Sequence, residues 1–126
     1  MTAPGPELQD LVNRLFDMAR QGDKTLLDYI HQGVNIDLVN HEGQPFVMLA
    51  AYHGHAELVA ALAEEGANVD LLNDRGQSPL AGAIFKKEDA VIDALLAAGA
   101  DPQAGTPSAL DTARMFERTD LVERLS

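Results

Sequence analysis

The chain has 126 residues, 46% of them hydrophobic but only 5% aromatic and none tryptophan, so one small core of Ala, Leu and Val is expected and a second domain is not. It has no cysteine, which excludes a disulfide framework, a thiolate zinc site and a cysteine nucleophile and favours a cytoplasmic home. Nine Lys and Arg against twenty Asp and Glu give a formal charge of −11, which repels phosphate backbones and anionic lipid and argues against nucleic acid and membrane as partners.

The opening MTAPGPEL has neither a basic n-region nor an apolar stretch, and no run of ~18 apolar residues follows, so no signal peptide or membrane span is expected. Ala3 to Pro6 is a Pro/Gly lead-in that delays the first helix. From Glu7 onward, Leu8, Leu11, Val12, Leu15, Phe16 and Ala19 recur at helical spacing, with Glu7, Asp10, Arg14 and Asp17 on the opposite side. Gly22-Asp23 breaks this helix, Leu26, Leu27 and Ile30 support a second, and Gly33 ends it. The two make an antiparallel pair.

In the next block, Asn40-His41-Glu42-Gly43 reads as a turn, Val47 to His53 as a short apolar helix, and Gly54-His55 as a break. Ala56 to Glu65 follows as a second helix, and Gly66 to Asp70 as a return to extended chain. The same block then begins again at Asn73. Gly33, Gly66 and Gly99 recur every 33 residues, as do Gly43 and Gly76, and a fixed period of that size marks a repeat array. Towards the end, Leu110, Ala113, Leu121, Val122 and Leu125 echo Leu80, Ala83, Val91, Ile92 and Leu95 thirty positions earlier. The connection over Gln103 to Pro107 is therefore shorter, and Ser108-Ala109-Leu110-Asp111 supplies the last helix start.

The second block resembles an ankyrin repeat through Gly43, Ala50, Ala51, Gly54, His55, Glu57, Leu58, Val59, Leu62, Gly66, Ala67 and Val69. The third is similar through Gly76, Ser78, Pro79, Leu80, Ala83, Val91, Ile92, Leu95, Leu96, Gly99 and Ala100. The resemblance implies an all-α fold, an α-solenoid of stacked helix-turn-helix units with short extended turn or hairpin connections. Its expected units are an N-terminal capping repeat over 7–39, repeats over 40–72 and 73–104, and a C-terminal capping repeat over 105–126. Small Ala50, Ala51, Ala83 and Ala113 let neighbouring first helices approach, while Leu58, Val59 and Leu62 fill the layer behind. The family's T-P-L-H segment, which ties one unit to the next, is replaced by Pro45-Phe46-Val47-Met48 and Ser78-Pro79-Leu80-Ala81. Without its His, a looser array than a consensus sequence forms is expected.

In ankyrin proteins the partner lies in a groove between the turn tips and the open side of the first helices. Carried onto this chain, the resemblance puts His41, Glu42, Gln44, Asp74, Arg75 and Gln77 at the tips. It puts Arg20, Tyr52 and His53, Phe85 and Lys86, and Met115 and Phe116 on the helices. Tyr52, Phe85 and Met115 occupy equivalent positions, so three large apolar side chains form one stripe, unless Phe85 or Phe116 turns inward to fill gaps between alanines. Arg20, Arg75 and Lys86 bring positive charge to the same surface, while Asp28, Glu57, Glu64, Glu65, Asp89 and Asp93 make an acidic, solvated back.

Other chemistry is poorly served. His53 and His55, with His41 nearby in sequence, lack a further ligand, so no metal site is expected. There is no nucleophile with a base, no glycine-rich phosphate loop and no carboxylate pair at useful spacing, so neither an enzyme nor a cofactor is expected. The sequence points to a monomeric protein-interaction module that takes a neutral or basic protein partner as adaptor, regulator or immunity-type inhibitor. A self-associating scaffold module is the alternative.

Overall fold

The computed structural model describes residues 5–126, and among these there are eight helices and no strand longer than a single bridge. Ala3 and Pro4 of the lead-in lie outside the described residues. Helix α1 (Pro6–Gln21) opens on a proline, whose fixed φ suits the first turn and whose missing N–H would have had no partner there. It ends at Gly22, with φ of 73°, and buries Leu15, Phe16 and Ala19. Helix α2 (Leu26–His31) runs back beside it.

Three further pairs follow: α3 (Phe46–Tyr52) with α4 (Ala56–Glu64), α5 (Pro79–Phe85) with α6 (Asp89–Ala97), and α7 (Ala109–Met115) with α8 (Thr119–Leu125). No single pair can bury its own apolar face, so the pairs stack: α1 on α3, α3 on α5, α5 on α7, and α4 on α6. Ala19, Ala50, Ala83 and Ala113 are fully buried at these first-helix contacts, where any larger side chain would hold the helices apart. Leu26, Leu58, Leu62, Val91, Ile92 and Leu95 fill the layer behind, each stabilising the fold by roughly 1.5–3 kcal/mol through burial. One core runs without a gap from Leu15 to Leu125.

Helix α3 begins one residue earlier than its sequence pattern suggests because Phe46 is drawn into this core. Its ring lies 4.8 Å from that of Phe16, centroid to centroid, and both are buried.

Within each pair the break between helices is a single left-handed residue. Gly22 and Gly54 fill it in the first two pairs, but Lys87 (φ 60°) and Glu117 (φ 56°) fill it in the others, where a Cβ costs about 1–2 kcal/mol. At the first break, His55 Nε2 lies 2.7 Å from the Arg20 carbonyl oxygen, so the family's Gly-His position ties the second pair to the first.

The connection after Gly66 does not run on as extended chain. The Asn68 side-chain oxygen accepts from the Asp70 N–H at 3.0 Å and folds it into an Asx turn, and Asn35 and Asp101 repeat the device. Cross-pair hydrogen bonds accompany it: Asp37 accepts from the Asn68 N–H at 2.9 Å and Asp70 from the Asp101 N–H at 2.8 Å. Ser78 and Ser108 cap α5 and α7 through their hydroxyl oxygens, a role Pro45 cannot fill for α3. The outer pairs are also clipped to the inner ones by surface ion pairs, Lys24 with Glu57, Arg118 with Asp89 and Arg124 with Asp93, and by a His31–Glu65 contact at 3.1 Å. Such exposed pairs are screened by water and contribute little to stability.

Two glycines separate backbone conformation from crowding. Gly43 and Gly76 have nearly the same φ, 76° and 74°, but a Cβ on Gly43 would stand 2.9 Å from the Asp74 backbone nitrogen while one on Gly76 meets nothing within 4 Å. Gly76→Ala should therefore lose about 1–2 kcal/mol in urea unfolding and Gly43→Ala clearly more. Equal losses would show that conformation alone decides. By the same reasoning Lys87→Gly should raise the urea midpoint, a gain of up to about 1 kcal/mol, and a lower midpoint would contradict the strain assigned to this turn.

Candidate protein-interaction groove

Two asparagines build the tips. The Asn40 side-chain oxygen accepts from the N–H groups of Glu42 (2.9 Å) and Gln44 (3.0 Å), and its amide donates to the Gln44 side-chain oxygen. Asn73 does the same for Arg75 (2.9 Å), Gln77 (3.0 Å) and the Gln77 side chain (2.8 Å). Each tip is thereby held rigid by one residue, and the Asp74 N–H, donating to the Glu42 carbonyl at 3.0 Å, locks the second to the first.

Facing the tips are the last turns of α3, α5 and α7. Tyr52, Phe85 and Met115 remain 41%, 58% and 66% exposed, and Phe116, at 42%, stands edge-on to Phe85 with ring centroids 5.7 Å apart. Phe85 and Phe116 do not turn inward. The buried alanines already place neighbouring helices in contact, which leaves no gap for a ring.

Tips and helices together enclose a groove of about 540 Å³. Of the residues expected from sequence, Glu42, Gln44, Tyr52, Arg75, Gln77, Phe85, Met115 and Phe116 line it. The other five do not. Lys86 stands at its edge, its ammonium 4.9 Å from the centroid of the Tyr52 ring. His53 stacks edge-on against the same ring at 5.8 Å, His41 pairs with Glu42 at 3.5 Å, and Asp74 is an exposed tip residue. Arg20 turns to Asp17 on its own helix at 2.8 Å.

The floor contains residues that sequence reasoning passed over, among them Met48, Ser78, Ala81 and Thr112. A signal for two of them exists: Met48 and Ala81 precede Tyr52 and Phe85 by four residues, one helical turn on the same face. Ser78 and Thr112 are buried but satisfied, Ser78 accepting from the Ala81 N–H and Thr112 donating to the Ser108 carbonyl. The groove thus offers apolar contact, amide groups and two opposite charges, Glu42 and Arg75, with no buried polar side-chain atom left unpartnered among the described residues. Among those residues no group of three His, Cys, Asp or Glu is arranged to hold a metal ion, and no helix is long and apolar enough to cross a membrane.

A family model described as ankyrin repeats, in three copies, matches residues 15–106. The chain belongs to the ankyrin repeat family. This ankyrin repeat protein is 47% identical over 62 residues to PA3287 of Pseudomonas aeruginosa, itself named for ankyrin repeats; the match covers 45% of the chain and 36% of that protein. It is 34% identical over 89 residues to the mouse inactive serine/threonine-protein kinase TEX14, covering 70% of the chain but 6% of the kinase. Among solved structures it resembles the human ASB11 ankyrin repeat domain, with a TM-score of 0.65 and 34% identity over 70% of the chain and 40% of that one. The chain thus spans about a third of PA3287 and a small part of TEX14. Ankyrin repeats are in general protein–protein interaction modules and typically carry no enzymatic activity.

His53 reports on the groove edge of this ankyrin protein. Desolvation beside Tyr52, with the positive fields of His55, Arg20 and Lys86, holds its pKa below the ordinary histidine value, so the fold favours the neutral ring. The associated stability is present above about pH 6.5 and is lost as pH falls through the lowered folded value. In an NMR titration the His53 midpoint should fall below that of a histidine in an unstructured peptide. A midpoint at or above that reference would mean that the ring is neither desolvated nor near Arg20 and Lys86.

Proposed function

We propose that this ankyrin repeat protein acts as a monomer that binds one protein partner through the groove of Tyr52, Phe85, Met115 and Phe116, as an adaptor, regulator or inhibitor. One observation carries this reading. Large apolar side chains at equivalent positions stay exposed along one side of the stack, while their counterparts on the second helices, Leu62 and Leu95, are fully buried. An apolar stripe rimmed by Gln44, Gln77 and two charges has the makeup of a binding hot spot, in which a few central anchors carry most of the affinity. The formal charge of −11 speeds encounter with a partner that is basic overall, leaves a neutral one unhindered and slows an acidic one. On the far side, Glu57, Asp89 and Asp93 are already engaged in ion pairs with the outer helix pairs, which leaves less charge free for a partner there.

Capture from a lysate of the source cell, followed by mass spectrometry, tests the reading when three forms are compared: the native chain, a Tyr52→Glu/Phe85→Glu variant, and a Glu64→Lys variant of the acidic back. The expected result is a protein held by the native and Glu64→Lys forms and weakened on the order of 100-fold or more by the groove variant, as two hot-spot losses imply. Equal capture by the groove variant, confirmed to be folded by circular dichroism, would move the site elsewhere.

A further inference from the structure

We propose that the groove selects a short peptide segment of mixed charge, presenting an apolar side chain with a carboxylate towards Arg75 and a basic group towards Glu42, so that it docks in one direction. This inference rests on the groove being the binding site. With twenty acidic and nine basic residues, most cations of this chain lie beside an acid: Arg20, Lys24, Arg114, Arg118 and Arg124 all form ion pairs. Arg14, Arg75, Lys86 and Lys87 form none among the described residues, and of these four Arg75 lines the groove and Lys86 stands at its edge. Lys86 is occupied by the face of Tyr52. Arg75 lines the groove, its backbone fixed by Asn73, and its guanidinium has no carboxylate within 4 Å. A planar guanidinium there suits bidentate capture of a carboxylate from a ligand.

The opposite charge stands on the adjacent tip. Glu42 and Arg75 occupy equivalent positions 33 residues apart, on turns built by the same asparagine network, and both line the groove. Equivalent sites of opposite sign make the groove electrically polar along the stacking direction, with the apolar stripe of Tyr52, Phe85 and Met115 alongside. A segment with its acidic end at Arg75 and its basic end at Glu42 matches both charges, and the reversed segment meets like charge at both. The volume of about 540 Å³ falls in the range of clefts that hold small ligands, which favours a short segment as occupant. Such a segment is compatible with a partner that is neutral or basic as a whole.

A displayed random-peptide library selected on the full chain tests this, with enriched peptides then measured by titration. The expected peptides carry a Leu or aromatic residue with Asp or Glu on one side and Lys or Arg on the other. Arg75→Gln should weaken them about tenfold, the scale of one charge-assisted hydrogen-bond pair. A Glu42→Arg/Arg75→Glu variant should enrich peptides with the charge order inverted. Since both side chains are exposed and the tip hydrogen bonds use only their backbone, these variants are expected to fold, which circular dichroism checks. Peptides without an acidic residue, an unchanged charge order in the swapped variant, or no enrichment at all would each overturn the proposal. If the enriched peptides lack a charge pattern but are lost on Tyr52→Glu/Phe85→Glu, the groove stands and only the charge selection fails. If they bind that variant undiminished, the groove reading fails as well.

Discussion

The structure depends on how closely its first helices approach one another. Ala19, Ala50, Ala83 and Ala113 are the residues at those contacts, and each is fully buried. A methyl group is the largest side chain such a contact accepts, and that limit sets the spacing of the whole stack. From it follow the position of the second helices, whose larger Leu, Val and Ile side chains fill the remaining layer, and the absence of any space inside for a ring at position 85 or 116. The groove aromatics are exposed because the alanines leave them nowhere else to go.

The same spacing places the tips. Because each helix pair repeats its neighbour at a nearly fixed offset, Asn40 and Asn73 build identical turns, and one backbone hydrogen bond from Asp74 to Glu42 suffices to join them. Beyond Gly76 the pattern changes. The shorter connection before α7 brings Thr106 to donate to the Gly76 carbonyl at 2.9 Å, so the ladder continues but no third asparagine tip rises beside it. Pro107 stands at the groove there instead, and Phe116 and Met115 are reached from an open end.

Much of this was legible in the sequence, because a repeat states its own alignment. The 33-residue spacing of Gly33, Gly66 and Gly99 gives the helix pairs, and equivalence alone puts Tyr52, Phe85 and Met115 in one row. What could not be read depends on side-chain partners rather than on period. The pairing of Phe46 with Phe16 joins residues thirty apart in unlike sequence contexts and moves the start of α3. The left-handed turns at Lys87 and Glu117 were hidden because neither is a glycine, and only the helices on either side force the backbone there. The Asx turn at Asn68 replaced an expected extended run because a side-chain oxygen competed for the Asp70 amide. Arg20, one of the groove cations anticipated from position, is drawn to Asp17 on its own helix, a local preference that repeat alignment does not see.

Charge follows a second logic laid over the packing. The outer helix pairs carry the cations that meet the inner pairs' acids, Lys24 at one end and Arg118 and Arg124 at the other. Arg118 is held charged by Asp120 and Asp89, and Asp120, in turn, is kept below its ordinary carboxylate value by Arg118. These exposed contacts add little energy one by one. The cation that remains inside the groove, Arg75, is backed by a rigid asparagine turn and forms no ion pair among the described residues. An acidic chain that pairs five of its nine Lys and Arg with its own acids, while leaving Arg75 without a carboxylate beside an exposed aromatic stripe, keeps at that place a charge held by water alone and open to a ligand carboxylate.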